Sequence, residues 1–231
     1  MSGLPFVNRP LRIDPDRLWA HLMAMAEVGA TPAGGSNRQA LSDEDAAGRA
    51  LFVQWAEQVG CSLSLDPVGN LFARREGTDP DMAPILLGSH LDTQPTGGRF
   101  DGVYGVLAGL EVIETLQDAS VRTTAPIEVA VWTNEEGSRF PVSMMGSAVW
   151  AGALGLEEAR NLVDVDGFSV GSELDRLGWV GDRGLGRDLG GYLELHIEQG
   201  PILERSGSDI GVVTGVQGFR WFTVELTGFP A

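Results

Sequence analysis

Apolar residues recur at helical spacing in the first well-patterned stretch of the chain. Leu18, Leu22, Met25 and Val28 form one stripe between Asp14 and Val28, which predicts an amphipathic helix. The string TPAGGSNRQ then breaks the period and reads as a loop. Ser42 supplies a cap for a second helix, with Asp45 at the capping-box position and Leu51, Phe52 and Trp55 on the apolar face. CSLSLDPVGNLFARREG predicts two short strands around a Pro/Gly turn.

From Pro84 the rhythm changes. APILLGSH and PIEVAVWTNEE are continuous apolar runs of the kind found in buried strands, and Val103 to Leu116 between them is helical. Strand, helix, strand predicts an α/β fold. The polar residues bunch just past both strand ends, the edge where open α/β sheets bind ligands. Short helical pieces separated by glycine turns follow, from GSAVWAGAL to DRLGWVGDRGLGRDLGG. WFTVELTG alternates at Phe222, Val224 and Leu226, which predicts a late strand in need of a partner. The chain shows neither an internal repeat nor a low-complexity segment.

Composition narrows the class. The 231 residues are 43% hydrophobic and 21% charged, as in ordinary globular proteins. No apolar run approaches the length of a membrane span, and the N-terminus lacks a signal-peptide pattern, so the default expectation is a cytoplasmic protein without a membrane partner. The single cysteine, Cys61, excludes an internal disulfide framework and a four-cysteine zinc site. The net charge of -16, with arginine the only basic residue type besides histidine, repels phosphate backbones and argues against a nucleic-acid partner.

Candidate chemistry gathers at the predicted element ends. His90 follows the strand ILLGS, with Asp92 two positions on to hold and polarise the ring; a histidine satisfied within a polar loop is the plainer reading. Asp101, in GGRFDGVYG, opens the next helix either as a cap or as an inward-aimed carboxylate whose two oxygens suit bridging two ions. Glu135 and Glu136 end the second buried strand. They form a solvated edge, or one binds a metal while the other faces the reacting water with a raised pKa. His196 shares a side with Glu194 and Glu198 if ELHIEQG is extended. His21 lies in the first helix and reads as a surface or interface residue. Taken together, these histidines and carboxylates suit Zn(II), Mn(II) or Co(II). The G-x-G-x-x-G, P-loop and G-x-S-x-G signatures are all absent.

The strings GSHLDTQPTGGRFDGVYG, WTNEEGSRFPVSMMGSAVWAG and ELHIEQGPILE resemble those of the hydantoinase/carbamoylase amidases, within the dinuclear-metal M20 aminoacylase-like superfamily. The resemblance runs over nearly the whole chain and implies a three-layer α/β sandwich as the catalytic domain, incomplete at its C-terminus. It implies that His90 and His196 bind one metal, Asp101 bridges and Glu136 binds the other. Glu135 is then the general base, Asp92 orients His90 and Gln199 lies near the substrate. The implied cofactors are two divalent ions (Zn, Mn or Co), with one or none in this chain. The implied substrates are small ureido or N-acyl amino acids, and the longer relatives are homodimers. Residues 1–212 correspond to the first part of the metal domain, and 213–231 to the start of an inserted dimerisation domain. The sequence ends at GFPA, where the family continues into a histidine-containing stretch and, later, a further histidine ligand. Little or no catalysis by this chain alone, and exposed apolar faces, are therefore expected. Two alternatives remain: an aminoacylase or aminopeptidase of the same superfamily, and a noncatalytic fragment or interaction domain retaining part of the site.

Overall fold

The computed structural model describes residues 10–216 together with 218, 222, 224, 225, 227 and 228. The chain divides into two units, residues 1–197 and 198–231.

In the first unit the Asp14 side chain caps α1 (Pro15–Glu27), accepting from the Asp16 and Arg17 amides, and Pro15 stands where no amide hydrogen is needed. Val28, placed on the apolar stripe by its spacing, is instead the residue after the last turn. α2 (Asp43–Gln58) is capped by Ser42, whose side chain accepts from the Asp45 amide. The Asp45 carboxylate does not close a capping box. It accepts from the Leu41 amide and pairs with Arg49 one turn on.

A five-stranded sheet follows in the order β1 (Ser62–Leu65), β2 (Leu71–Arg75), β4 (Ile127–Trp132), β3 (Ile85–His90) and β5 (Gly191–Leu193). β1–β2 and β2–β4 pair antiparallel, whereas β4, β3 and β5 run parallel. The crossover between β3 and β4 is α3 (Val103–Asp118). β4 is buried at every position, which explains its unbroken apolar run. Val129 and Val131 join Leu18, Phe52, Trp55 and Leu107 in the core beneath α1, α2 and α3. Ala130 and Trp132 pack with Phe72 and Leu86 on the opposite face. A third cluster unites α4 (Met145–Trp150), α5 (Leu156–Arg160) and α6 (Val170–Leu177) through Phe140, Val149 and Leu174. The sequence-predicted α/β architecture is present, built on a mixed sheet.

In the second unit, Glu198 caps α7 (Ile202–Ser206) by accepting from the Ile202 and Leu203 amides. The strand expected over residues 221–228 lies partly outside the described residues, and those described there carry no strand pairing.

His21, read from sequence as a surface or interface residue, is half-buried. It stacks on Trp55 at 4.3 Å between ring centres and lies 3.7 Å from Glu114 of α3. Arg17 grips Glu111 with two 2.8 Å hydrogen bonds, which leaves Glu114 the less well paired of these two buried acids. Burial, opposed by Arg17 and reinforced by Glu111 and Asp118, pushes the Glu114 carboxyl up to about 7. Folding thus favours the protonated form. Its contribution is complete below the ordinary value of 4.5 and is lost as pH rises through about 7. Glu114→Gln should raise thermal stability at pH 8 more than at pH 5, by on the order of 1 kcal/mol after allowing for solvent screening. Equal shifts in melting temperature at the two pH values would contradict this.

Candidate metal centre

Parallel pairing sets His90 opposite Trp132, so the residues following β3 and β4 emerge at one edge of the sheet. β5 runs parallel to β3 and brings His196 past the same edge. Asp101 arrives one residue before Gly102, which caps α3 with φ +66°. That left-handed conformation suits glycine, and a Cβ there would lie 2.4 Å from His90 Nε2.

His90 is buried, and its Nδ1 lies 2.9 Å from the Asp92 main-chain carbonyl. A carbonyl only accepts, so Nδ1 carries the hydrogen and the Nε2 lone pair is free for a ligand. His196 repeats the arrangement, with Nδ1 2.9 Å from the Ile197 carbonyl. Both Nε2 atoms face Asp101 Oδ1, at 3.8 Å from His90 and 3.2 Å from His196. His90, Asp101 and His196 offer three ligand atoms all within 4.8 Å of one another.

Glu135 sits beside this triad, and Glu136 follows it in the same turn. Glu135 Oε2 is 3.3 Å from His90 Nε2. Glu136 Oε2 accepts a 2.6 Å hydrogen bond from Gln94, while its Oε1 is buried without a partner among the described residues. An unsatisfied buried carboxylate oxygen is costly, and a cation is the partner that best repays it. Asp92 holds the turn in place. Its two oxygens accept from the amides of Glu135 and Glu136, each at 3.2 Å, and its Oδ1 lies 3.7 Å from His90 Nδ1.

Charge at this edge is acidic, and the titrations reflect it. Burial lowers the His90 imidazole, but Asp92, Glu135 and Glu136 together bring it above its ordinary value. The hydrogen bond to Asp101, opposed by burial, raises His196 to about 9. Burial, partly offset by His90 and reinforced by Glu136, raises Glu135. Burial likewise pushes Asp92 up to about 6, against the attraction of His90. The acidic surroundings that raise both imidazoles also favour a divalent cation, and protons and metal compete for the same nitrogens.

Of the residues singled out from sequence, His90, Asp92, Asp101, Glu135, Glu136 and His196 converge at this edge. Glu194 is also near, accepting from Ser89 Oγ at 2.6 Å and from Tyr192 at 2.6 Å. β5 ends at Leu193, so His196 and Glu198 do not share a strand face, and Glu198 caps α7. Gln199 lies in the second unit.

Several supports were not read from sequence. Arg38, fully buried, donates to the Leu91 carbonyl, and its main chain pairs with Thr93, which fixes the loop carrying Asp92. Asn70 accepts from the Thr133 amide and donates to the Gly146 carbonyl, anchoring the turn after β4. Gln94 has no sequence signal beyond its place in the motif.

A family model for peptidase family M20/M25/M40 matches residues 86–230. The chain belongs to that family. It is 53% identical over 228 residues to the N-carbamoyl-L-amino-acid amidohydrolase of Rhizobium meliloti, covering 98% of this chain and 54% of that protein. It is 41% identical to the N-carbamoyl-L-amino acid amidohydrolase of Geobacillus stearothermophilus, covering 94% of this chain and 54% of the relative. A crystal structure of a hydantoinase/carbamoylase family amidase from Burkholderia ambifaria superposes with a TM-score of 0.87 at 56% identity. That match covers 89% of this chain and 50% of the other. The chain thus spans about half the length of the curated relatives it matches. Among the described residues, no helix is long and apolar enough to cross a membrane.

Gly102→Ala should weaken zinc or manganese binding at least about tenfold, because the new Cβ meets His90 Nε2 in a strained backbone conformation. Gly98→Ala, where a Cβ meets nothing within 4 Å, is the control. Titration calorimetry showing equal affinities for the two variants would contradict the placement.

Proposed function

We propose that this chain carries the metal-binding part of an amidohydrolase centre that cleaves linear C–N bonds in N-carbamoyl-L-amino acids, giving the amino acid, carbon dioxide and ammonia. The observation that carries the reading is the convergence of His90, Asp101 and His196 on one set of ligand atoms within 4.8 Å of one another. The likeness to N-carbamoyl-amino-acid hydrolases supports the substrate class over N-acyl amino acids and peptides.

The donor set fits divalent ions. His90 and His196 would hold one, Asp101 would bridge, and Glu136 would hold a second. Nitrogen and carboxylate donors suit Zn, Mn or Co. When bound, the ions supply electrophilic activation of the ureido carbonyl and a water nucleophile at neutral pH.

The chain's own residues do the rest. Glu135, raised by burial and by Glu136, takes a proton at Oε2 and returns it to the leaving nitrogen. Asp92, by holding the amides of both glutamates, keeps that oxygen aimed at the reacting atoms. The Asp92 carbonyl fixes the His90 tautomer.

Among the described residues the second position has Asp101 and Glu136 as donors, short of the usual coordination. Turnover by these 231 residues alone is therefore expected to be below roughly 1 s⁻¹, the lower end for enzymes. Ammonia release from N-carbamoyl-L-amino acids by the metal-loaded chain should be slow, abolished by chelator, and reduced at least about 100-fold in Glu135→Gln. Activity that survives chelation, or that prefers dipeptides, would contradict the function. A rate normal for an enzyme would contradict the incomplete second position.

A further inference from the structure

On the sheet face opposite α3, a cavity of about 320 Å³ opens beside Glu135. This volume lies at the lower end of small-molecule sites. Its walls include Leu86, Trp132, Trp150 and Tyr192, and Glu194 joins Glu135 at its edge. Trp132 lies 5.7 Å from Trp150 and 6.4 Å from Tyr192 between ring centres, so three aromatic rings surround one space.

The two sides differ in how they are held. Trp132 Nε1 donates to the Tyr192 hydroxyl at 3.1 Å, Tyr192 donates to Glu194, and Ser89 donates to the same carboxylate. This chain of hydrogen bonds ends next to His90 and makes one wall rigid. Among the described residues Trp150 has no acceptor for its Nε1, so packing holds it there, and the flexible Met144 shares the lining. A rigid aromatic wall facing an adaptable one suits side chains of varied shape and large apolar area.

We infer that this cavity receives the side chain of the substrate's amino acid, selecting large apolar and aromatic side chains over small ones and excluding acidic ones. The inference rests on the amidohydrolase reading, because Glu135 both lines the cavity and contacts His90. Glu135 and Glu194 set negative charge against an acidic side chain, while burial of an aromatic ring contributes most of the affinity. Trp150 and Ser147 are the specificity-determining positions on the adaptable side.

The test uses the zinc-loaded chain and the indole N–H signal of Trp150 in ¹H–¹⁵N spectra, assigned with Trp150→Phe. p-Cresol, a neutral surrogate for a tyrosine side chain, should shift that signal and leave the exposed Trp19 unmoved. Ser147→Phe, which places a ring in the cavity, should weaken p-cresol binding at least tenfold; Ala151→Trp, at an exposed lining position, serves if that variant misfolds. N-carbamoyl-L-tyrosine should bind at least tenfold tighter than N-carbamoylglycine or N-carbamoyl-L-aspartate, with the preference lost in Ser147→Phe. An unmoved Trp150 signal, or equal binding of the three carbamoyl compounds, overturns the pocket and leaves the function standing. Binding of p-cresol with no binding of any carbamoyl compound contradicts the function, and overturns the assignment of the cavity to a substrate side chain.

Discussion

One buried carboxylate ties the site together. Asp92 stands just past the end of β3, and its two oxygens accept the amides of Glu135 and Glu136 just past the end of β4. Parallel pairing alone brings the strand ends side by side, but it leaves the loops beyond them free to diverge. The Asp92 bridge removes that freedom. Its own main-chain carbonyl then holds His90 Nδ1, so a single residue sets both the imidazole tautomer and the position of the glutamate pair. Arg38, buried beneath the loop, keeps Asp92 from moving and offsets part of its charge.

This arrangement concentrates negative charge. Asp92, Asp101, Glu135, Glu136 and Glu194 crowd around two histidines, and burial denies most of them full solvation. Positive charge inside such a cluster relieves its repulsion. Protons on His90 and His196 provide that charge in one state, and a divalent cation provides it in another. Competition between proton and metal follows from the donor set itself. The rest of the fold supplies stiffness: Asn70 and the buried Arg49–Asp45 pair bind the far sides of the same turns to β1–β2 and α2.

Sequence made the outline of this centre readable because its residues sit where periodicity breaks. β3 and β4 are largely apolar runs; His90 is the last residue of β3, and Glu135 stands three residues past the end of β4. The supports were harder to see. Arg38 looks like any loop arginine until the fold buries it, and Asn70 looks like a turn residue although it joins three segments. The surroundings of His21, read from sequence as a surface or interface residue, were not legible either. That residue is half-buried, stacked on Trp55 and close to Glu114. The extended reading of ELHIEQG failed at Leu193, where strand pairing stops and Glu198 turns to capping a helix.

The central claim is that Asp101 and the two Nε2 atoms form a metal position. It is tested most directly by counting divalent metal per chain in protein purified without chelator, with His90→Ala alongside. The account predicts at least one zinc, manganese or cobalt per chain and a loss of that metal in the variant. A chain that retains no metal, or a variant that retains as much as the parent, would contradict it.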